Sequence, residues 1–141
     1  MSGAMARNKG ASYERRIANQ LTEATGTRWR RRVRNHEDDS DVVADDPAFD
    51  RISVECKHAT TLCLPAWWRQ AQAQAGENRI PVLIYKRTGM VGDLVVLDAH
   101  DLNPRTFPVR GRHTVTLDWA AAMQWMREKL PVKVPYSPEI Y

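Results

Sequence analysis

Tyr13, Ile17 and Leu21 recur at every fourth position with Ala18 beside them, a spacing that predicts an amphipathic helix over residues 11–24. Asn8 or Ser12 offers a cap at its start, and Gly26 suits its end. Arg28–Asn35 alternates as a strand, with Trp29 and Val33 an even step apart, and Ser40–Ala44 reads as a short second strand. Arg51–His58 is a third, with Ile52, Val54 and Cys56 on one face and Ser53, Glu55 and Lys57 on the other. Pro65 stands in the first turn of a second helix that Gly76 closes. Ile80–Lys86 is a continuous apolar strand of the kind covered on both faces, and Leu94–Leu97 is another. Trp119, Met123, Met126 and Leu130 predict a third helix over Leu117–Leu130, and three prolines make the remainder an extended tail.

The order α-β-β-β-α-β-β-α predicts an α/β fold, a central mixed β-sheet flanked by helices, with a right-handed strand–helix–strand crossover. Residues 1–6 read as a flexible leader or cloning remnant, 7–130 as a single domain, and 131–141 as a Pro-rich tail. A length of 141 residues with 43% hydrophobic and 27% charged positions fits one soluble domain. No window approaches the ~18 continuous apolar residues of a membrane helix, and no apolar export signal opens the chain. A cytoplasmic protein with no membrane partner is expected. Cys56 and Cys63 are too few for a disulfide framework and form no CxxC pair.

The net charge of +4 conceals a sharp partition. Residues 1–36 hold nine Lys and Arg against two acids, 37–55 hold eight acids against one Arg, and 56–141 hold eleven basic residues against seven acids. A basic chain with one concentrated acidic segment points to a polyanion partner and a cation held at one place.

Glu55 and Lys57 leave the same face of the third strand, and a hairpin pairing would bring Asp41 of the preceding strand near Glu55. Glu14 stands three residues before Ile17, on or beside the apolar stripe of the first helix, where a solvated charge is not expected. Converged carboxylates repel and resist desolvation unless a cation joins them. A hard divalent ion with oxygen ligands, Mg²⁺ or Mn²⁺, resolves that conflict, and an adjacent ammonium can then assist phosphoryl chemistry. Asp39 shares the strand face of Asp41 and competes with it as a ligand.

Lys9-Gly10-x-x-x-Glu14-Arg15 on the first helix, Ser40-Asp41 on the second strand and Val54-Glu55-Cys56-Lys57 on the third resemble the PD-(D/E)XK nuclease superfamily, and within it the archaeal and phage Holliday junction resolvases. The likeness covers roughly residues 7–97, with Ser40 where the motif carries proline. It implies a restriction-endonuclease-like αβββαβ core and a Mg²⁺-dependent DNA endonuclease, with Mn²⁺ as a substitute. Asp41 and Glu55 are then metal ligands, Lys57 is the catalytic lysine, and Glu14 is the helix acid that completes or supports the metal site. It also implies an activated water attacking in line, 5′-phosphate and 3′-hydroxyl products, a branched DNA substrate and a homodimer.

Arg28, Arg30, Arg31, Arg32 and Arg34 form a dense basic strand leading into this site and are expected to contact DNA phosphates, with Arg7 and Lys9 adding to them. Arg105, Arg110, Arg112 and His113 form a second basic region, open to DNA or to solvent. Trp67, Trp68, Trp119 and Trp125 read as core or subunit-contact residues, and Cys56 as a buried filler. Gln70, on the helix after the Glu-x-Lys strand, reads mainly as an ordinary exposed position. Two rivals remain: a restriction- or repair-type endonuclease on duplex DNA, and a non-catalytic nucleic-acid-binding protein with structural acids.

Overall fold

Val54 and Val82 lie side by side in a parallel ladder that occupies the middle of a six-stranded sheet. The computed structural model describes residues 3–32 and 41–129, with side chains along the first helix from Lys9 onward. The elements run α1 (Gly3–Thr25), β1 (Trp29–Arg31), β2 (Val42–Ala44), a 3-10 turn (Pro47–Phe49), β3 (Ile52–Ala59), α2 (Leu64–Ala75), β4 (Ile80–Arg87), β5 (Leu94–Asp98), α3 (Ala99–Leu102), β6 (Thr114–Asp118) and α4 (Trp119–Lys129). Strand order follows chain order from β1 to β6. β3 and β4 are parallel because α2 carries the chain back between them; the other neighbours are antiparallel.

The pleat of β3 sorts its residues into two layers. Ile52, Val54 and Cys56 join Val82, Ile84, Val95 and Leu97 in a core covered by α1 and α4. Leu83, Tyr85 and Val96 face the other way, under Ala71 of α2 and the half-buried Trp67 and Trp68. Ile17 and Leu21 of α1 are fully buried, and burial of each contributes about 1.5–3 kcal/mol. The tryptophans serve this packing, since Trp125 is buried with its indole N–H donating to the Asp101 carbonyl at 3.0 Å.

α1 is locked to β1 through side chains at its last turn. Thr22 Oγ1 accepts from the Trp29 amide at 2.9 Å, and Thr25 Oγ1 accepts from the Trp29 indole N–H at 2.9 Å. Gly26, at φ 72°, makes the reversal between them. The indole then meets Phe49 edge-on, with ring centroids 5.3 Å apart.

Boundaries differ from expectation at both ends of the fold. α1 begins at Gly3 rather than Ala11, so Asn8 and Ser12 lie inside the helix. Met5, Ala6, Arg7 and Lys9 favour the helix enough to carry Gly10 within it. The segment from Thr114 to Asp118 is an edge strand, not the start of the last helix: Val115 and Leu117 alternate with exposed Thr114, Thr116 and Asp118. Asp118 then accepts from the Ala121 amide at 2.8 Å and caps α4. The tail from 131 to 141, and Ser40, Asp39 and Arg34, lie outside the described residues.

Candidate active site

β3 positions the Glu-x-Lys pair as its alternation requires. Glu55 stands beside Leu83 in the parallel register and is 1% exposed; Lys57 stands beside Tyr85, its side chain 25% exposed. Lys57 Nζ lies 3.5 Å from Glu55 Oε1, an ion pair longer than a close hydrogen bond. Both residues sit on the α2 side of the sheet, where Trp67 and Tyr85 pack with ring centroids 6.2 Å apart and keep the neighbourhood apolar.

Asp41 reaches the same place from β2. Val42 pairs with Val54, and one further step along this antiparallel register sets Asp41 opposite Glu55. Asp41 is also 1% exposed. Its amide donates to the Val54 carbonyl at 2.9 Å, and its Oδ2 accepts from the Cys56 amide at 2.8 Å. The backbone of β3 therefore orients the carboxylate, and the two acids sit in one buried, water-poor place with one ammonium nearby.

Glu14 takes a different position. Its Oε2 accepts from Arg31 Nε at 2.7 Å. Trp29 and Arg31 turn toward the α1 side of the sheet, while Arg30 and Arg32 turn toward the side that carries Asp41 and Glu55. Among the described residues no three His, Cys, Asp or Glu side chains gather closely enough to hold one metal ion. The register brings Asp41 and Glu55 together, while Glu14 is held by Arg31. Glu14 still acts on the site electrostatically. Burial first, then the charges of Asp41, Glu14, Glu55 and Asp93, push the Cys56 thiol well above its ordinary pKa.

The basic strand is split by its own pleat. Arg28 and Arg30 are exposed, and Arg30 pairs with Asp45 at 3.2 Å. Arg30 and Arg32, with Arg79 before β4, line a groove of about 300 Å³ beside β1 and β2. α2 packs on β3 and β4, which leaves this flank of the carboxylate face to the arginines. Lys9 lies in the first half of α1, Arg7 in the same helix has no described side chain, and Gln70 is exposed on α2. Arg110 of the second basic region is bound to Asp101 at 2.8 Å, and Arg105, Arg112 and His113 are exposed.

A further cluster escaped the sequence reading. Asp93, buried just before β5, accepts from Tyr13 Oη at 2.9 Å and from two guanidinium nitrogens of Arg16 at 3.0 and 2.9 Å. These bonds clamp α1 over the sheet and set the height of Glu14, which follows Tyr13. Tyr13 and Arg16 share one side of α1, but nothing near them in the chain points to a partner 77 to 80 residues away.

The donor set suits a hard divalent cation. Mg²⁺ is held by one or two carboxylates, with water and phosphate oxygens completing its octahedron. Asp41 and Glu55 supply carboxylate oxygen donors buried side by side, and among the described residues no thiolate or imidazole competes at that face.

The family model described as "Phage putative PDDEXK endonuclease" matches residues 5–125. No curated protein and no solved structure matches the chain.

Proposed function

The chain belongs to this family of phage PDDEXK endonucleases, with the nuclease chemistry on DNA that membership implies, and on that premise we propose that it is a divalent-metal-dependent endonuclease selective for branched DNA, a Holliday junction resolvase acting as a homodimer. The observation that carries the metal-dependent part is the pair of carboxylates, Asp41 and Glu55, each 1% exposed on adjoining strands with Lys57 Nζ 3.5 Å from Glu55.

Asp41 and Glu55 would hold the ion. The Cys56 amide fixes the orientation of Asp41. A bound Mg²⁺ or Mn²⁺ would supply Lewis-acid polarisation of the phosphodiester and a nucleophilic water. Lys57, partly exposed at the rim, faces the charge that develops on the phosphoryl oxygens and lowers its cost in a site shielded by Trp67 and Tyr85. Arg30 and Arg32 on the same face hold the backbone without reading its sequence. A two-fold dimer suits a substrate with two symmetric strands to cut.

The deciding assay is Mg²⁺-dependent cleavage of a synthetic four-way junction beside a linear duplex of the same sequence. The junction is cut preferentially, and Lys57→Ala and Glu55→Ala abolish cutting. Equal cutting of both substrates overturns junction selectivity and favours a duplex endonuclease. Undiminished cutting by the two variants overturns the assigned site, and DNA binding in EDTA with no cleavage under any divalent ion overturns the enzyme.

A further inference from the structure

The parallel register of β3 and β4 sets His58 beside Lys86, on the face covered by α1. Neighbouring strands lie ~4.8 Å apart, so the two side chains rise together. Tyr13 of α1 packs against the imidazole, with ring centroids 5.2 Å apart. Four residues earlier on the same helix, Lys9 Nζ donates to Thr88 Oγ1 at 2.7 Å, two positions beyond Lys86. Three elements thus bring two ammoniums, an imidazole and a hydroxyl to the end of β3 that follows Lys57.

Among the described residues this gathering is positive without a matching acid. The charged and titratable groups facing His58 are Lys9, Tyr13 and Arg16 of α1, Lys86 of β4, and Asp93 ahead of β5. Asp93 is already engaged by Tyr13 and Arg16. Residues 78–92 contain no acid, so β4 and its turn bring no counter-charge. Burial, then Lys9, Lys86 and Arg16, hold the imidazole below its ordinary pKa. Like charges assembled this way repel in the isolated chain and are relieved by an anion.

We propose that Lys9, His58 and Lys86, with the Thr88 hydroxyl, form a phosphate clamp that grips the nucleic-acid backbone beside the phosphate addressed by Glu55 and Lys57. The clamp rests on the nuclease reading above and adds to it a second strand contact, on the opposite side of β3 from Arg30 and Arg32. Lysines suit this role as multi-donor point charges, and such contacts position DNA without choosing a sequence.

The test is fluorescence anisotropy of a labelled four-way junction and a labelled duplex with the full chain in EDTA, repeated over a salt series. Lys9→Ala and Lys86→Ala each reduce the slope of log K against log salt by about 1, and the double variant by about 2, on both substrates. Lys86→Arg retains the wild-type slope. Lys129→Ala, a charge-matched change at the end of α4, also retains it. Circular dichroism verifies that each variant is folded. A double variant with wild-type slope and affinity overturns the clamp while the nuclease reading stands. A wild-type chain that binds neither substrate overturns both.

Discussion

The backbone N–H of Cys56 donates to Asp41 Oδ2 at 2.8 Å, so the residue between Glu55 and Lys57 orients a carboxylate with its main chain while its side chain fills the core on the other face. The thiol itself is dispensable for that bond, and Cys56→Ala leaves cleavage near the wild-type rate. Burial and the surrounding acids hold the thiol protonated well above its usual range, whereas Cys63 is exposed. Iodoacetamide at pH 8 therefore adds a single adduct to the native chain, at Cys63. Two adducts by intact mass, before any unfolding, would contradict this burial.

Glu55→Gln separates stability from function. It removes one of two buried neighbouring charges while keeping the shape, so the metal-free variant unfolds at a temperature no lower than the wild type. A divalent ion at about a hundred times its Kd stabilises the wild type by about 2.7 kcal/mol. The variant shows no such rise in Tm with Mn²⁺, and its cleavage falls by at least about 10²-fold. A variant that is destabilised in EDTA, yet still stabilised by Mn²⁺, would show that Glu55 is a structural acid.

Alternation made β3 readable from the chain, because Ile52, Val54 and Cys56 differ in polarity from Ser53, Glu55 and Lys57 at every step. Pro65 and Gly76 marked α2 because each solves a local backbone problem at a helix end. Pairing β2 with β3 then placed Asp41 near Glu55. The destination of Glu14 was not readable in the same way. It depends on which of several consecutive arginines turns toward α1, and the register of a three-residue strand decides that. β6 was missed because an edge strand exposes every second residue, so Thr114 to Asp118 carries little apolar signal. The Tyr13–Asp93 bond was missed because it spans 80 residues.

His58 makes stability depend on pH in a predictable direction. Its folded pKa lies below the ordinary 6.5, so between that folded value and 6.5 the unfolded chain binds the proton more readily. The stability contribution is complete above 6.5 and is lost as pH falls through that window. His58→Gln removes this component. The difference between wild-type and variant Tm, followed downward from pH 7, therefore shifts in favour of the variant. Nucleic acid reverses the effect, because a bound phosphate favours the imidazolium and DNA affinity rises as pH falls through the same window. A difference in Tm that stays constant with pH would exclude the imidazole as its source.

Glu14 and Glu55 are both acids, but the geometry assigns them unequal weight. Glu14 is held by Arg31 Nε at 2.7 Å, with side chains 14% and 32% exposed, so the pair is worth about 1 kcal/mol and anchors β1 to α1. Glu14→Gln should lower kcat by at most about tenfold, well short of the loss of 10² or more expected for Glu55→Gln. Arg31→Gln should reproduce its small loss of Tm, and the double variant should lose little more, since both changes break one contact. Mn²⁺ affinity, read by calorimetric titration, should be unchanged in Glu14→Gln. If Glu14→Gln instead matches Glu55→Gln in both kcat and metal affinity, the carboxylate must leave Arg31 and join Asp41 and Glu55 when substrate binds. Arg31, released toward a phosphate, would then be the partner that exchanges with it.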